Sequence, residues 1–387
     1  MNKFKTVIDF GSKNLRIGIF DETSNNIYSS FEKINNNLEN QNIEQCLNKL
    51  IRNGEKKLST HLDKADILIE ASKFSLIDIS IRKKFDEFNS FKKSYSNLID
   101  EANFIISENN FKNRIIHIIV KNITVDNNKK IEFVSNDIKI KYLSLEIKFI
   151  CLNKSIINDV SNKFKKNNLN ISNIYCSSYV KSIFYKKNFE TNKNFIFLDI
   201  GFERSSILLF SNNKLEFFNS IPIGGNNITK DISKILKLSL DYAEDLKIRL
   251  HKKDNKGLLI KNNLESINPY IEVSKKNISV NLLRQIVEAR VEEIIDLILI
   301  DYIFKKDYFE SNPVIIFIGG GSKVLSNTFN LNSKNKFSNL IFFEEEDSKI
   351  CEAGFEYDKT DESMLTLIKK KAKKQGFFEN FFNLFSK

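Results

Sequence analysis

The sequence predicts an α/β protein of two similar lobes, with a small α+β module set into the first lobe and an amphipathic helix at its far end. Three observations predict it. A strand ending in Asp-x-Gly, then a strand, a turn, a third strand and a helix, occurs from Phe4 and returns from Phe195, with Asp9 and Asp199 in matching places. Such a repeat points to two units of like architecture, and 387 residues exceed one ordinary core. Between the copies, from about Ile79 to Leu152, the texture changes, and the last dozen residues interleave phenylalanines with polar residues.

In the first copy, Phe4 to Phe10, Leu15 to Phe20 and Ile27 to Phe31 read as strands. Ile43, Cys46, Leu47, Leu50 and Ile51 follow at helical spacing, and Asp66 to Glu70 reads as a strand again. The middle predicts helices over Ile81 to Phe91 and Ser96 to Ile106, then strands over Ile115 to Val125 and Leu143 to Leu152. Asp126-Asn127-Asn128 is a hairpin turn signal within it. Ser155 to Leu169 and Ser172 to Phe184 read as helices. The second copy has strands at Phe195 to Ile200, Ser205 to Phe210 and Leu215 to Ile221, with helical segments from Ile228 to Leu236 and from Asp241 to Leu250. A long helix runs from Leu282 to Phe304 with Asn281 as its N-cap. Val314 to Ile318 and Leu340 to Phe343 are the last strands, followed by a charged stretch. The predicted divisions are residues 1–79 with 153–192 for the first lobe, 80–152 for the insert, 193–229 with 307–356 for the core of the second lobe, 230–306 for its outer part, 357–375 for a charged linker and 376–387 for the terminal helix.

Composition narrows the function classes. At 41% hydrophobic and 28% charged, the chain can build packed cores and is not of disordered type. The net charge of +11 comes from lysines spread along most of the chain. No basic-aromatic motif accompanies it, so no nucleic acid is expected as a partner, while anionic surfaces remain open. Cys46, Cys151, Cys176 and Cys351 form no C-x-x-C pair, which fits a reducing cytoplasm and argues against a zinc site or a disulfide framework. His61, His117 and His251 lie far apart, and His117 sits in the apolar run Ile115 to Ile119 as a strand residue rather than a catalyst. No signal peptide is read at the start, and no window of about 18 apolar residues predicts a membrane-spanning helix.

The chemistry lies at the ends of strands. In Asp9-Phe10-Gly11-Ser12 and Asp199-Ile200-Gly201 an acid closes a buried strand and a glycine follows two residues on. The acid can orient waters on Mg²⁺. The glycine lets backbone N–H groups approach a phosphate. One such turn is an ordinary turn; two with matched flanking strands describe a grip from both sides. Gly319-Gly320-Gly321-Ser322 after a strand gives a third close approach, suited to a base or ribose. Glu244 and Lys247 lie three apart on one helix face, as a surface ion pair or as ligands of a ribose.

Six stretches then follow in a telling order: Val7-Ile8-Asp9-Phe10-Gly11-Ser12-Lys13, Leu198-Asp199-Ile200-Gly201, I-P-I-G-G-N-N-I-T-K-D-I from Ile221 to Ile232, Ala243-Glu244-Asp245-Leu246-Lys247, Ile286-Val287-Glu288-Ala289-Arg290 and Phe317-Ile318-Gly319-Gly320-Gly321-Ser322. The set resembles the actin, sugar-kinase and heat-shock-chaperone superfamily of ATPases, and within it the FtsA family of bacterial cell division. The resemblance covers nearly the whole chain. It implies an actin-like two-lobed fold of duplicated ribonuclease-H-like domains around a nucleotide cleft. It implies that ATP is bound by Asp9, Gly11, Ser12, Lys13, Asp199, Gly201, Ser205, Gly225, Glu244, Lys247, Gly319, Gly320, Gly321 and Ser322, with Mg²⁺ held through water by Asp9 and Asp199. It also implies binding to the tubulin-like protein FtsZ, contact with other division proteins through the insert, self-association into filaments, and a place on the cytoplasmic face of the inner membrane at the division site. The family's second phosphate loop runs Asp-x-Gly-Gly-Gly-Thr, whereas here it runs Asp199-Ile200-Gly201-Phe202-Glu203-Arg204-Ser205. That places an acid near the phosphates, with Arg204 beside it to offset the charge, and the expectation is weak ATP turnover or none.

The tail is the clearest physical signal. At 100° per residue Phe377, Phe378, Phe381, Phe382, Leu384 and Phe385 fall in an arc of roughly 160°, with Lys373 and Lys374 in a lysine cluster just before it. An aromatic face beside lysines describes a helix lying in an anionic lipid surface. The polar run Tyr357 to Ser363 predicts a detachable tether. The competing readings are a helix docked on the protein itself, a soluble sugar-kinase-like ATPase, an actin-like scaffold of pilus assembly, and an adaptor with a dead pocket.

Overall fold

The computed structural model describes residues 4–34, 41–70, 74–126, 129–131, 138–189, 193–251, 270–273, 276–303, 313–322 and 340–360. The chain opens with an antiparallel meander, β1 (Phe4–Phe10), β2 (Asn14–Asp21) and β3 (Asn26–Lys33), followed by α1 (Gln41–Leu58) and β4 (Lys64–Ile69). The insert follows as β5 (Phe74–Ser90), α2 (Phe91–Asn109), β6 (Asn113–Val125), β7 (Lys129–Ile131) and β8 (Lys139–Asn153). The chain then returns through α3 (Lys154–Lys165), β9 (Asn170–Cys176) and α4 (Ser177–Lys186). The second meander is β10 (Phe195–Ile200), β11 (Ser205–Ser211) and β12 (Lys214–Ile221), with α5 (Gly225–Leu236) and α6 (Leu240–His251) after it. A small hairpin, β13 (Tyr270–Val273) and β14 (Lys276–Ser279), leads into α7 (Val280–Ile303). The described chain closes with β15 (Val314–Ile318), β16 (Leu340–Phe342) and α8 (Asp347–Tyr357).

The two meanders grow into sheets of one plan. The first has the order β3-β2-β1-β4-β9 and the second β12-β11-β10-β15-β16. In each, the first three strands are antiparallel and the last two join in parallel. The central strands are covered on both faces, which is why β10 and β15 read as unbroken apolar runs. Between the sheets lies a core of Val7, Leu68, Phe197 and Leu208 with Tyr179 of α4 and Phe355 of α8. Helix α8 comes from the second half of the chain yet packs on β1 and β2, and a side chain at Gly354 would meet Val7 Cγ1 at 2.9 Å.

Four sequence expectations change. Of Ile81 to Phe91, all but Phe91, which opens α2, belongs to β5 rather than to a helix. Ile81, Phe85 and Phe88 are spaced like a helix face, but pairing with β8 through Lys84 and again at Asn89 and Ser90 wins, and Phe88 is left exposed. Ser172 to Phe184 is not one helix: Ile174 and Tyr175 pair in parallel with Ile67 and Leu68, and the helix begins at Ser177. The N-cap of the long helix is Ser279 rather than Asn281, since its hydroxyl accepts from the Leu282 N–H at 3.4 Å. The charged stretch after β16 contains α8, whose Ile350, Cys351, Phe355 and Tyr357 are buried.

The insert is a four-stranded sheet, β5-β8-β6-β7, with α2 against it. It abuts the second lobe, where Lys121 pairs with Glu216 of β12 at 2.7 Å and Lys148 reaches the Glu216 carbonyl at 3.0 Å. His117 of β6 is fully buried. Its Nε2 accepts the Cys176 N–H at 2.9 Å, so its Nδ1–H donates to the Tyr357 hydroxyl at 2.8 Å. Burial pushes its pKa down to about 3 and keeps it neutral. All four cysteines are free and buried.

Tyr357, Asp358 and Thr360 are docked. Tyr175 donates to Asp358 at 2.5 Å, and Lys5 pairs with the same carboxylate. Of the predicted tether, residues 361–363 lie outside the described residues, as does the terminal helix with Lys373, Lys374 and its aromatic face. Among the described residues no helix is long and apolar enough to cross a membrane.

Candidate functional site

The turns after β1 and β10 face each other across a cleft of about 340 Å³, within the usual range for small-molecule sites. Asp9, Gly11, Ser12 and Lys13 line one wall; Asp199, Gly201, Gly225, Glu244, Lys247, Gly319, Gly320 and Gly321 line the other. Twelve of the fourteen residues predicted from the sequence thus meet around one space. Ser205 and Ser322 do not line it. The Ser205 hydroxyl donates to the Ile223 carbonyl at 2.7 Å and that of Ser322 to the Gly319 carbonyl at 2.6 Å, so both brace backbone turns.

The turns are built by close backbone approach. At Gly11 a Cβ would come within 2.7 Å of the Asn14 carbonyl oxygen. Gly319 has φ +89°, a conformation that favours glycine, and a side chain there would strike the Ile200 carbonyl. A Cβ at Gly320 would meet nothing within 4 Å among the described residues beyond its chain neighbours.

Glu244 and Lys247 are not a surface pair. Lys247 is 5% exposed; its ammonium lies 2.6 Å from Glu244 Oε2 and donates to Thr229 Oγ1 at 2.8 Å and the Gly225 carbonyl at 3.0 Å. Burial lowers its pKa, with Glu244 acting against that.

The second turn differs from expectation. Glu203 does not face the cleft; its carboxylate accepts from Asn226 Nδ2 at 2.7 Å. Phe202 and Arg204 line the cleft in its place. The Lys13 and Lys247 ammoniums lie 4.7 and 5.4 Å from the Phe202 ring centroid, so the ring sits between the two lysines across the cleft. Arg204 crosses to the first lobe and donates to the Glu70 carbonyl at 2.5 Å.

Sequence reasoning also missed the charges at the cleft floor. Arg16 Nη1 pairs with Asp9 Oδ2 at 2.8 Å and Arg16 Nε with Asp347 at 2.5 Å. Lys181 of α4 reaches Asp199 Oδ2 at 2.7 Å and Glu345 at 3.4 Å, and Glu345 accepts the Gly319 N–H at 2.6 Å. Burial alone would lower the Lys181 pKa, but Asp199, Glu345 and Glu70 outweigh it and hold the ammonium well above its ordinary range. Burial, aided by Asp199 and Asp9, pushes the Glu70 carboxyl up to about 8, although Lys181 and a 2.7 Å bond from Ser178 act the other way. A lysine amid small and apolar residues, Ser177-Ser178-Tyr179-Val180-Lys181-Ser182, was the one signal that a buried acid awaited it.

The expected Mg²⁺ does not fit this arrangement. It requires Asp9 and Asp199 as open anions, and each is already joined to a basic side chain. Among the described residues no three Asp, Glu, His or Cys side chains converge as a metal site.

Comparison with known proteins agrees with this architecture. The family model of the cell division protein FtsA matches residues 196–378. FtsA of Neisseria meningitidis is 33% identical over 108 residues, covering 26% of this chain and 24% of that protein. FtsA of Borreliella burgdorferi is 26% identical over 144 residues, 34% of this chain and 32% of that protein. FtsA of Helicobacter pylori is 28% identical over 96 residues, 25% and 20% of the two. The matches thus span about a fifth to a third of the length of these curated relatives. Among solved structures, the PilM-PilN type IV pilus biogenesis complex aligns with a TM-score of 0.61 at 12% identity, covering 88% of each chain. MreB5 of Spiroplasma citri, solved bound to ADP, aligns with a TM-score of 0.52 at 11% identity over 95% of this chain and 99% of that one. The chain has the actin-like ATPase fold, and its likeness within that fold is to the FtsA family of cell division proteins.

Proposed function

We propose that this protein binds ATP in the cleft between its lobes and serves bacterial cell division by holding FtsZ filaments at the cytoplasmic face of the membrane. The observation that carries the reading is the pair of facing glycine turns on two sheets of one plan, joined to the FtsA likeness. Lys13, Arg204 and Lys247 supply positive charge around the phosphate end, and the Gly319 turn supplies close backbone approach for the base or ribose. ADP in the like-folded MreB5 is consistent with a nucleotide here. ATP serves as a structural ligand bridging the lobes rather than as a substrate turned over fast. The last dozen residues, with their aromatic face and preceding lysines, lie on anionic lipid, and the insert meets other division proteins or a neighbouring copy in a filament.

The test is co-sedimentation with anionic liposomes, comparing the full chain with a truncation after Gln375, with and without FtsZ. The reading expects only the full chain to pellet and to bring FtsZ down. Both forms staying in solution would sink the membrane part. A second reading, a scaffold of pilus assembly, draws on the likeness to the PilM-PilN complex. Failure to bring down FtsZ by a chain that still pellets would favour it.

A further inference from the structure

We infer that Lys181 and Arg16 are built-in replacements for a divalent cation at the cleft floor, so that the protein takes up a nucleoside triphosphate without needing a metal. This rests on reading the cleft as a nucleotide site.

A hydrated Mg²⁺ is held by carboxylate oxygens that face its waters and by the phosphates it bridges. Neither carboxylate of the two turns offers that. Asp199 Oδ2 is 2.7 Å from the Lys181 ammonium, and its Oδ1 lies against the Gly319 turn, 2.5 Å from where a Cβ on that glycine would stand. Asp9 Oδ2 is 2.8 Å from Arg16, and its Oδ1 faces the Ser177 hydroxyl at 3.4 Å.

The two cations cannot easily leave. The Lys181 side chain is 7% exposed and rises from α4 in the first lobe to reach two acids of the second, Asp199 and Glu345. Arg16 is held from two sides, by Asp9 and Asp347. Pulling one member from a buried pair leaves its partner uncompensated, which is strongly unfavourable. A metal would have to expel Lys181 to reach Asp199.

The surrounding charge suits a bare polyanion. Six basic side chains line the cleft, Lys13, Arg16, Lys33, Lys181, Arg204 and Lys247, against five acids, Asp9, Glu70, Asp199, Glu244 and Glu345. Glu70 keeps its proton at neutral pH, since burial pushes it up to about 8. The positive excess that a metal normally brings with the nucleotide is thus already in the protein.

The experiment is titration of the full chain with ATP by calorimetry, in Mg²⁺ and again in EDTA. The expected dissociation constants agree within threefold. Lys181→Met, verified as folded by its melting transition, is expected to lose tenfold or more in EDTA relative to Mg²⁺, because Asp199 and Glu345 then face the phosphates uncompensated. A tenfold loss in EDTA for the unaltered chain overturns the inference while leaving the nucleotide reading intact. So does a Lys181→Met protein that binds equally in both buffers. Absence of binding in either buffer overturns both. If Lys181→Met fails to fold, the unaltered chain alone decides.

Discussion

The two lobes carry the same five-stranded sheet, yet the turns after their leading strands are put to different uses. After β1 the turn presents Gly11, Ser12 and Lys13 to the cleft. After β10 the turn is bound up with its neighbours. Gly201 N–H donates to the Arg204 carbonyl at 2.8 Å, while the Gly201 and Phe202 carbonyls accept from the N–H groups of Gly225 and Asn226 at 2.9 and 2.7 Å. The start of α5, where free N–H groups could meet an anion, is engaged by this turn. Both turns of the duplicated architecture line the cleft, but the second is also a strut between helix and sheet.

Unequal loss on removing the two acids would sharpen this contrast most. Asp199→Ala takes from the buried Lys181 its nearest acid and leaves Glu345 at 3.4 Å with Glu70 beyond, and we expect a loss of about 3–5 kcal/mol in stability. Asp9→Ala leaves Arg16 its second partner Asp347, and the loss should be clearly smaller. Urea unfolding of both variants checks this; equal losses would break the contrast.

The proton on Glu70 gives the next effect. The folded state holds it to about pH 8, whereas an ordinary glutamate releases it near 4.5. The folded state thus binds more protons between those values, and stability falls as pH rises through that window, by at most about 1.4 kcal/mol per pH unit. Glu70→Gln, uncharged throughout, should flatten the slope in a melting series from pH 5 to 8.

Phe202→Gly restores a glycine to the second turn and frees two lysines from its ring, each contact being worth about 0.5–1 kcal/mol. ATP affinity should rise about fivefold; unchanged or weaker binding would mean that the ring does not compete with phosphate. The smallest effect is expected at Gly320→Ala, within about 0.5 kcal/mol of the parent, because nothing lies within 4 Å of a Cβ there. Gly319→Ala, by contrast, should be severely destabilised, since its φ of +89° and the Ile200 carbonyl both oppose a side chain.

The parts of the fold legible in the sequence were those written locally. An acid and a glycine at the end of an apolar strand mark a turn wherever they occur, so the turns at Gly11 and Gly201 and the duplicated meander could be read directly, as could the third turn from its run of glycines at Gly319. Contacts between distant segments could not. Lys181 and Asp199, Arg16 and Asp347, and Glu70 and Arg204 are joined only by the folded topology, and nothing in the spacing pairs them. Helix α8 was hidden because its acidic first turn, Asp347 and the glutamates before it, masks the buried face of Ile350, Cys351 and Phe355. Ser205 and Ser322 sit at the right positions for a ligand but turn inward, a choice of rotamer and partner that sequence does not record. In β5 the spacing of Ile81, Phe85 and Phe88 fits the helical period, and the partner strand overrides it.

The bond between His117 and Tyr357 has a mechanical consequence. A load pulling on the chain beyond Thr360 enters the fold at Tyr357 and Asp358, whose grips are on His117 of β6, Tyr175 of β9 and Lys5 of β1. All three strands belong to the first lobe and its insert. Tension on that end would therefore run first into those strands, and reach the second lobe only through the bridges between the lobes, Lys181 to Asp199, Arg204 to Glu70 and Lys121 to Glu216.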